Sequence, residues 1–95
     1  MADHRVTFRV HAVQRMFERS ISELDVRQIL ELGEIIESYP DELPYPTRLI
    51  LGFCDNRPVH VVAADAPDED ETVIITVYQP DVGRWDSTFR RRIKP

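Results

Sequence analysis

The chain has 95 residues, 42% of them hydrophobic and 31% charged, with a formal charge of -5 at neutral pH, which allows one domain (residues 1–95) around one modest core. No apolar run approaches the roughly 20 residues that cross a bilayer, no secretory leader is legible, and the single Cys54 has no internal disulfide partner, so a cytoplasmic protein is expected. One Cys and three scattered His fit no metal-ligand spacing, and neither a metal nor a cofactor is expected. In chain order, Val6-Thr7-Phe8-Arg9 reads as a short edge strand. The first helix follows over residues 10–19, with His11, Arg15 and Arg19 on one stripe and Val10, Val13, Met16 and Phe17 as the expected core side.

A second helix starts at Ser22, whose hydroxyl can cap while Asp25, three residues on, completes a capping box. Ile21 and Val26 flank the cap as a hydrophobic staple, and Val26, Ile29 and Leu30 form the apolar face. Gly33 is expected to end this helix in the left-handed conformation. Four strand-like runs follow: Glu34–Tyr39, Thr47–Cys54, Pro58–Ala64 and Thr72–Gln79. A loop with three prolines, the Asp55-Asn56-Arg57 turn and an acidic loop over 65–71 separate them. Short connections predict an antiparallel meander, and two helices ahead of it give an α+β class: two N-terminal helices on a four-stranded antiparallel sheet. Residues 80–95 carry a turn signal at Val82-Gly83, then Trp85 and Phe89, which can dock, and the run Arg90-Arg91-Arg92. Helix, final strand and tail all remain open for this segment.

Alternation sorts the strand residues into two faces. Leu49, Leu51, Phe53, Val59, Val61, Val73, Ile75 and Val77 form the expected face under the helices. Glu37, Tyr39, Arg48, His60, Thr76 and Tyr78 form the other: a carboxylate, a guanidinium, an imidazole and two phenols on one surface. Half-exposed sheets are commonly polar outside, so each member alone says little; the set together with His11 and Arg15 says more. Charge is uneven along the chain. Residues 1–19 hold four Arg against two acids, residues 80–95 four Arg and one Lys against two Asp, and the middle three Arg against thirteen acids. If the two basic ends meet, they make a local surface for a polyanion despite the net charge.

The pattern His-Ala-x-x-Arg-Met-x-x-Arg-x-Ile at 11–21, then Gly33, Glu37-x-Tyr39, Ile-Leu-Gly at 50–52, His-Val-Val at 60–62 and Thr-Val-Tyr at 76–78 resembles the family called domain of unknown function 4258. The likeness spans roughly residues 6–92. It implies a branch of the RelE/ParE-like toxins, within the barnase–EndoU–colicin–RelE group of compact ribonuclease folds. It also implies a small antitoxin partner, of the zinc-finger YgiT or MqsA type. The implied activity is a metal-independent endoribonuclease, and the motif positions are His11, Arg15, Arg19, Glu37, Tyr39, His60 and Tyr78. The acidic middle departs from the basic surface of ribosome-dependent relatives.

RNA cleavage by 2′-hydroxyl attack needs a base, an acid and cations for the developing charge. From that chemistry the expected catalytic set is His11, Arg15, Glu37, His60 and Tyr78. Arg19, Arg48, Tyr39, Trp85, Arg90, Arg91 and Arg92 are expected to bind RNA, the aromatics by stacking. The rival readings are a non-catalytic protein-interaction module and a ParE-like gyrase inhibitor, and a homodimer is compatible with each.

Overall fold

A computed structural model describes residues 4–93. The element order is β1 (Arg5–Phe8), α1 (Val10–Glu18), α2 (Glu23–Leu32), β2 (Glu34–Tyr39), β3 (Thr47–Cys54), β4 (Arg57–Ala66), a single 3-10 turn (Pro67–Glu69) and β5 (Glu71–Tyr78). The class is α+β, but the sheet has five strands in the order β1-β5-β4-β3-β2. Four are antiparallel as expected; the short edge strand read near residues 6–9 is present as β1 and joins the same sheet as a fifth strand, parallel to β5. The sheet is therefore mixed. A parallel partner needs a long crossover, which α1, α2 and the meander provide.

The second helix follows its sequence signals closely. Ser22 Oγ accepts from the Asp25 amide at 3.0 Å, and the Asp25 carboxylate accepts from the Ser22 amide at 2.9 Å. Gly33, however, is extended (φ -74°, ψ 174°) and not left-handed. Its reason is space: a Cβ there would crowd the Ile29 carbonyl, the Ile50 side chain and the Leu51 carbonyl, where helix turns directly into strand. Gly52 serves the same close approach, since a Cβ on it would run into the Ile29 side chain.

Both helices cover one face of the sheet. Ala12, Met16, Ile21, Val26 and Ile29 pack there on Ile50, Cys54, Val59, Val61, Ala63, Ile74 and Val77. Two sequence expectations need correction. In α1 only Ala12 and Met16 are buried, whereas Val10, Val13 and Phe17 are 73, 50 and 86% exposed. In β3, Ile50 and Cys54 face the helices, so Leu49, Leu51 and Phe53 lie on the opposite side. The strand is apolar on both faces, with Leu49, Ile50 and Leu51 all buried, so alternation carried no sign there. Between β4 and β5 the register shifts at Val62 and Ala63, so that Val62 pairs with Thr76 and Ala63 with Ile74, leaving Ile75 of β5 as the extra residue. That bulge puts Val77 and Ile74 on one face and turns Val73 away.

The C-terminal segment crosses the face that the helices leave open. After a turn at Asp81–Arg84 it doubles back on itself: Ile93 donates to the Arg84 carbonyl at 2.8 Å and Asp86 to the Arg91 carbonyl at 2.9 Å. Trp85 bridges to Arg92 across this short hairpin, residues 84–93. Asp86 caps its tip, its Oδ1 accepting from the Thr88 amide, the Thr88 hydroxyl and the Arg90 amide.

Candidate functional site

The open face gathers side chains from β2, β4, β5 and the hairpin. Glu34 and Glu37 are three apart and would face opposite ways in a regular strand. A bulge between Ile35 and Glu37 sets them across from Leu51 and Leu49, on the same side. His60 and Tyr78 are direct cross-strand partners, their rings edge-on at 5.2 Å. Trp85 of the hairpin meets the His60 ring at 4.5 Å, also edge-on.

His60 is completely buried, yet both ring nitrogens have partners. Nε2 lies 2.9 Å from the Phe89 carbonyl, which only accepts, so Nε2 carries the hydrogen. Nδ1 is then the acceptor, and the Tyr78 hydroxyl at 3.2 Å donates to it. Burial pushes the His60 pKa below its ordinary value, with the Phe89 carbonyl and Glu37 opposing in part. Burial likewise raises the Tyr78 phenol.

Next to this pair, Arg92 grips Glu37 with its fork, Nε to Oε2 at 3.1 Å and Nη2 to Oε1 at 3.3 Å. The Tyr39 hydroxyl donates to the same carboxylate. Burial works to raise the Glu37 pKa, but the hydrogen bonds from Tyr39 and Arg92 outweigh it and hold the carboxyl low. Donation to Glu37, and then burial, raises the Tyr39 phenol. The Arg92 guanidinium also lies 4.7 Å over the Trp85 ring. In front of these groups is a hollow of about 290 Å³ lined by Tyr78, Gln79, Asp81, Arg84, Trp85 and Arg92. The arrangement offers a neutral imidazole acceptor behind a phenol, a second phenol on a carboxylate, and two guanidinium groups at a solvent-open hollow. Among the described residues, no group of three His, Cys, Asp or Glu is placed to hold a metal ion.

Of the residues singled out from sequence, Glu37, Tyr39, His60, Tyr78 and Arg92 come together here, with Trp85. His11, Arg15 and Arg19 do not. They lie on α1 and its C-terminal cap, and the sheet stands between them and His60: α1 packs on β5, where Val77 faces the helices and its neighbour Tyr78, paired with His60, points the other way. Arg15 pairs with Glu18 at 3.2 Å, and the Arg19 carbonyl accepts from Arg57. Arg48 is also on the helix side, held by Asp65 at 2.9 Å, because β3 presents its even-numbered residues there. Trp85 is only 4% exposed, so it is a packing ring against His60 and offers no surface for stacking a base. Arg90 pairs with Glu34 at 2.9 Å, and Arg91 is exposed on the hairpin.

Sequence reasoning missed Arg84 and Glu34. Arg84 stands beside Trp85, and that adjacency was the available signal once the segment is taken to fold back. Glu34 had none, since only the bulge brings it to this face.

No curated protein and no solved structure is detectably similar to the chain. One family model matches residues 8–79, a stretch that includes Glu37, Tyr39, His60 and Tyr78 and stops before the hairpin that carries Arg92. By that match the chain belongs to the family described as domain of unknown function DUF4258.

Proposed function

We propose that the protein is a RelE/ParE-like, toxin-type endoribonuclease of the cytoplasm and that the open sheet face cuts RNA without a metal. One observation carries this reading: Glu37 held by Tyr39 and Arg92, and His60 held by Tyr78, come from four separate segments and meet through Trp85, with Tyr78 and Arg92 lining a solvent-open hollow. In the proposed reaction the ribose 2′-oxygen bonds to the adjacent phosphorus as the bond from phosphorus to the 5′-oxygen breaks. Tyr78 takes the 2′-hydroxyl proton while passing its own to His60 Nδ1, so the phenol never has to ionise. Its raised pKa is no obstacle to that relay. Tyr39 is the proton donor to the departing oxygen, and Arg92 and Arg84 stabilise the charge on the phosphorane. The products are a 2′,3′-cyclic phosphate and a 5′-hydroxyl.

The test is incubation of the purified chain with single-stranded RNA and analysis of the cut ends. Cyclic-phosphate ends that vanish in Tyr78→Phe, with folding intact, support the reading. An inert wild-type chain removes it.

A second reading has its own observation. Val10, Val13 and Phe17 make an exposed apolar row on α1, and Val13, Gln14, Phe17 and Glu18 line a broad hollow there. Such a row favours a protein partner, either a small antitoxin or a second copy of the chain, and on this reading the protein is an interaction module. Light scattering of the chain alone and mixed with a small zinc-finger antitoxin protein tests it, with Phe17→Ser as the disrupting variant.

A further inference from the structure

A second hollow, about 370 Å³, lies where the β2 edge begins. It is lined by Gln28, Ile29, Leu32 and Gly33 at the end of α2, Glu34 of β2, Leu51–Phe53 of β3, and Arg90 of the hairpin. Ladder pairing between β2 and β3 starts at Glu34 and Leu51, so Gly52 and Phe53 run past the beginning of β2 without a partner on that side. This is why a space exists beside β3 at this end of the sheet.

The lining has the parts a nucleotide needs. Phe53 is 55% exposed, an aromatic ring left open to solvent on a strand that is otherwise buried. An exposed ring beside a cation stacks a base without demanding its identity. Arg90 supplies the cation, and it already holds an anion: its Nε donates to both Glu34 oxygens, at 2.9 and 3.0 Å. A guanidinium that donates to a carboxylate can donate to a phosphate in its place. Around the ring, the Gln28 amide can donate and accept at a base edge, and carbonyls at the end of a helix lack intrahelical partners and can take an exocyclic amine.

The hollow is also joined to the reaction cluster. Arg90 and Arg92 are two residues apart on one hairpin, which presents one to Glu34 and the other to Glu37. The bulge in β2 is what sets both carboxylates on that side.

We propose that this hollow is a binding subsite for a nucleotide adjoining the scissile one in single-stranded RNA, with Phe53 stacking its base and Arg90 holding its phosphate in place of Glu34. The subsite rests on the ribonuclease reading of the open face. Glu34 is then an internal competitor: its carboxylate occupies the phosphate seat in the free protein and must be displaced by RNA. The Arg90–Glu34 pair is about half exposed on each side, so its displacement is cheap.

The experiment uses the full chain and a short single-stranded RNA oligonucleotide with 2′-O-methyl riboses, which binds without being cut. Phe53→Ala is expected to weaken binding roughly tenfold. Arg90→Ala weakens it by a similar factor and lowers the dependence of log affinity on log salt by about one. Glu34→Gln, which leaves the seat open, tightens binding about two- to fivefold. Unchanged binding in both Phe53→Ala and Arg90→Ala overturns the subsite, as does a Glu34→Gln variant that binds no better than wild type. Cleavage of ordinary RNA is read in parallel. Wild-type cleavage indifferent to Phe53 and Arg90 sinks the subsite and spares the nuclease; Phe53-dependent binding without any cleavage sinks the nuclease and with it the subsite as a neighbour of a scissile bond, leaving a seat that only binds single-stranded RNA.

Discussion

The two basic segments invite comparison because they look alike in sequence and end in different surroundings. Among the described residues, the stripe His11-Arg15-Arg19 faces no opposite charge from elsewhere in the chain: Arg15 pairs with Glu18 one turn on, and at Arg19 it is the backbone that is engaged, capping the helix end and accepting from Arg57. The arginines of the 84–93 hairpin are held against another part of the chain, Arg92 on Glu37 and Arg90 on Glu34, beside a buried histidine and a buried tryptophan. Cations gain chemical meaning from the groups opposite them. Here the same residue type solvates one surface and completes a titratable cluster on the other.

The sharpest way to break this contrast is through packing. Trp85→Ala removes a buried ring from His60 and Arg92 and is expected to cost roughly 3–5 kcal/mol. Phe17→Ala, on the exposed side of α1, should stay within about 0.5 kcal/mol. Urea unfolding of the two variants makes the comparison; equal losses would mean that the hairpin is not docked.

Chemistry comes next in size. Arg92→Ala and Tyr78→Phe should each lower RNA cleavage by about a hundredfold or more, equivalent to roughly 2.7 kcal/mol of transition-state stabilisation. His11→Ala and Arg15→Ala, on the far side of the sheet, should leave the rate within about twofold. A large loss in His11→Ala with little in Tyr78→Phe would reverse the assignment of faces.

Acid titration probes His60 itself. Its pKa is lowered in the folded chain, so the unfolded chain binds more protons once the pH falls below about 6.5. The neutral ring therefore contributes stability that is complete above that value and declines as the pH falls through the folded pKa. Melting temperature and Trp85 emission should both begin to fall below about pH 6.5 in wild type. His60→Gln should flatten that limb and leave the later one set by Glu37, whose carboxyl also titrates low. A wild-type profile that is flat down to the carboxylate range would contradict a buried neutral His60.

The smallest effect separates the ion pairs. A double-mutant cycle on Arg92 and Glu37 should give a coupling of about 1 kcal/mol, because the carboxylate is mostly covered and gripped by both arms of the fork. The same cycle on Arg15 and Glu18, both about half exposed, should give about 0.3 kcal/mol.

Much of the fold was legible because it depends on local rules. The Ser22–Asp25 capping box and the Asp55-Asn56-Arg57 turn act within a few residues, and the strands between Glu34 and Tyr78 follow from period-two patterning and turn chemistry. What was not legible depends on long-range pairing. The face of β3 was ambiguous because both of its sides are buried, and the bulges at Ile36 and in β5 shift parity without an obvious residue signal. In the candidate site, Glu37, Tyr39, His60 and Tyr78 were grouped correctly by alternation alone. Alternation also put Arg48 with them, wrongly, because both sides of β3 are apolar and its parity carried no sign; His11 and Arg15 were added by residue type, which carries no information about which face of the sheet a side chain meets.

β1 has a consequence for how the molecule is made. It is the first strand of this sheet in chain order, yet it pairs with β5, the last; His4, just ahead of it, bonds Asp70, 66 residues away. Its hydrogen-bonding partner does not exist until nearly the whole domain has left the ribosome. Closing so long a loop adds only a modest entropic cost over a shorter one, but it fixes an order: meander first, N-terminal edge last. Until β1 arrives, β5 presents an unpaired edge rich in Val, Ile and Thr, the composition most prone to recruit a strand from another chain. The four residues Arg5–Phe8 thus act as an edge guard, and a nascent or N-terminally clipped chain is the form most exposed to aggregation.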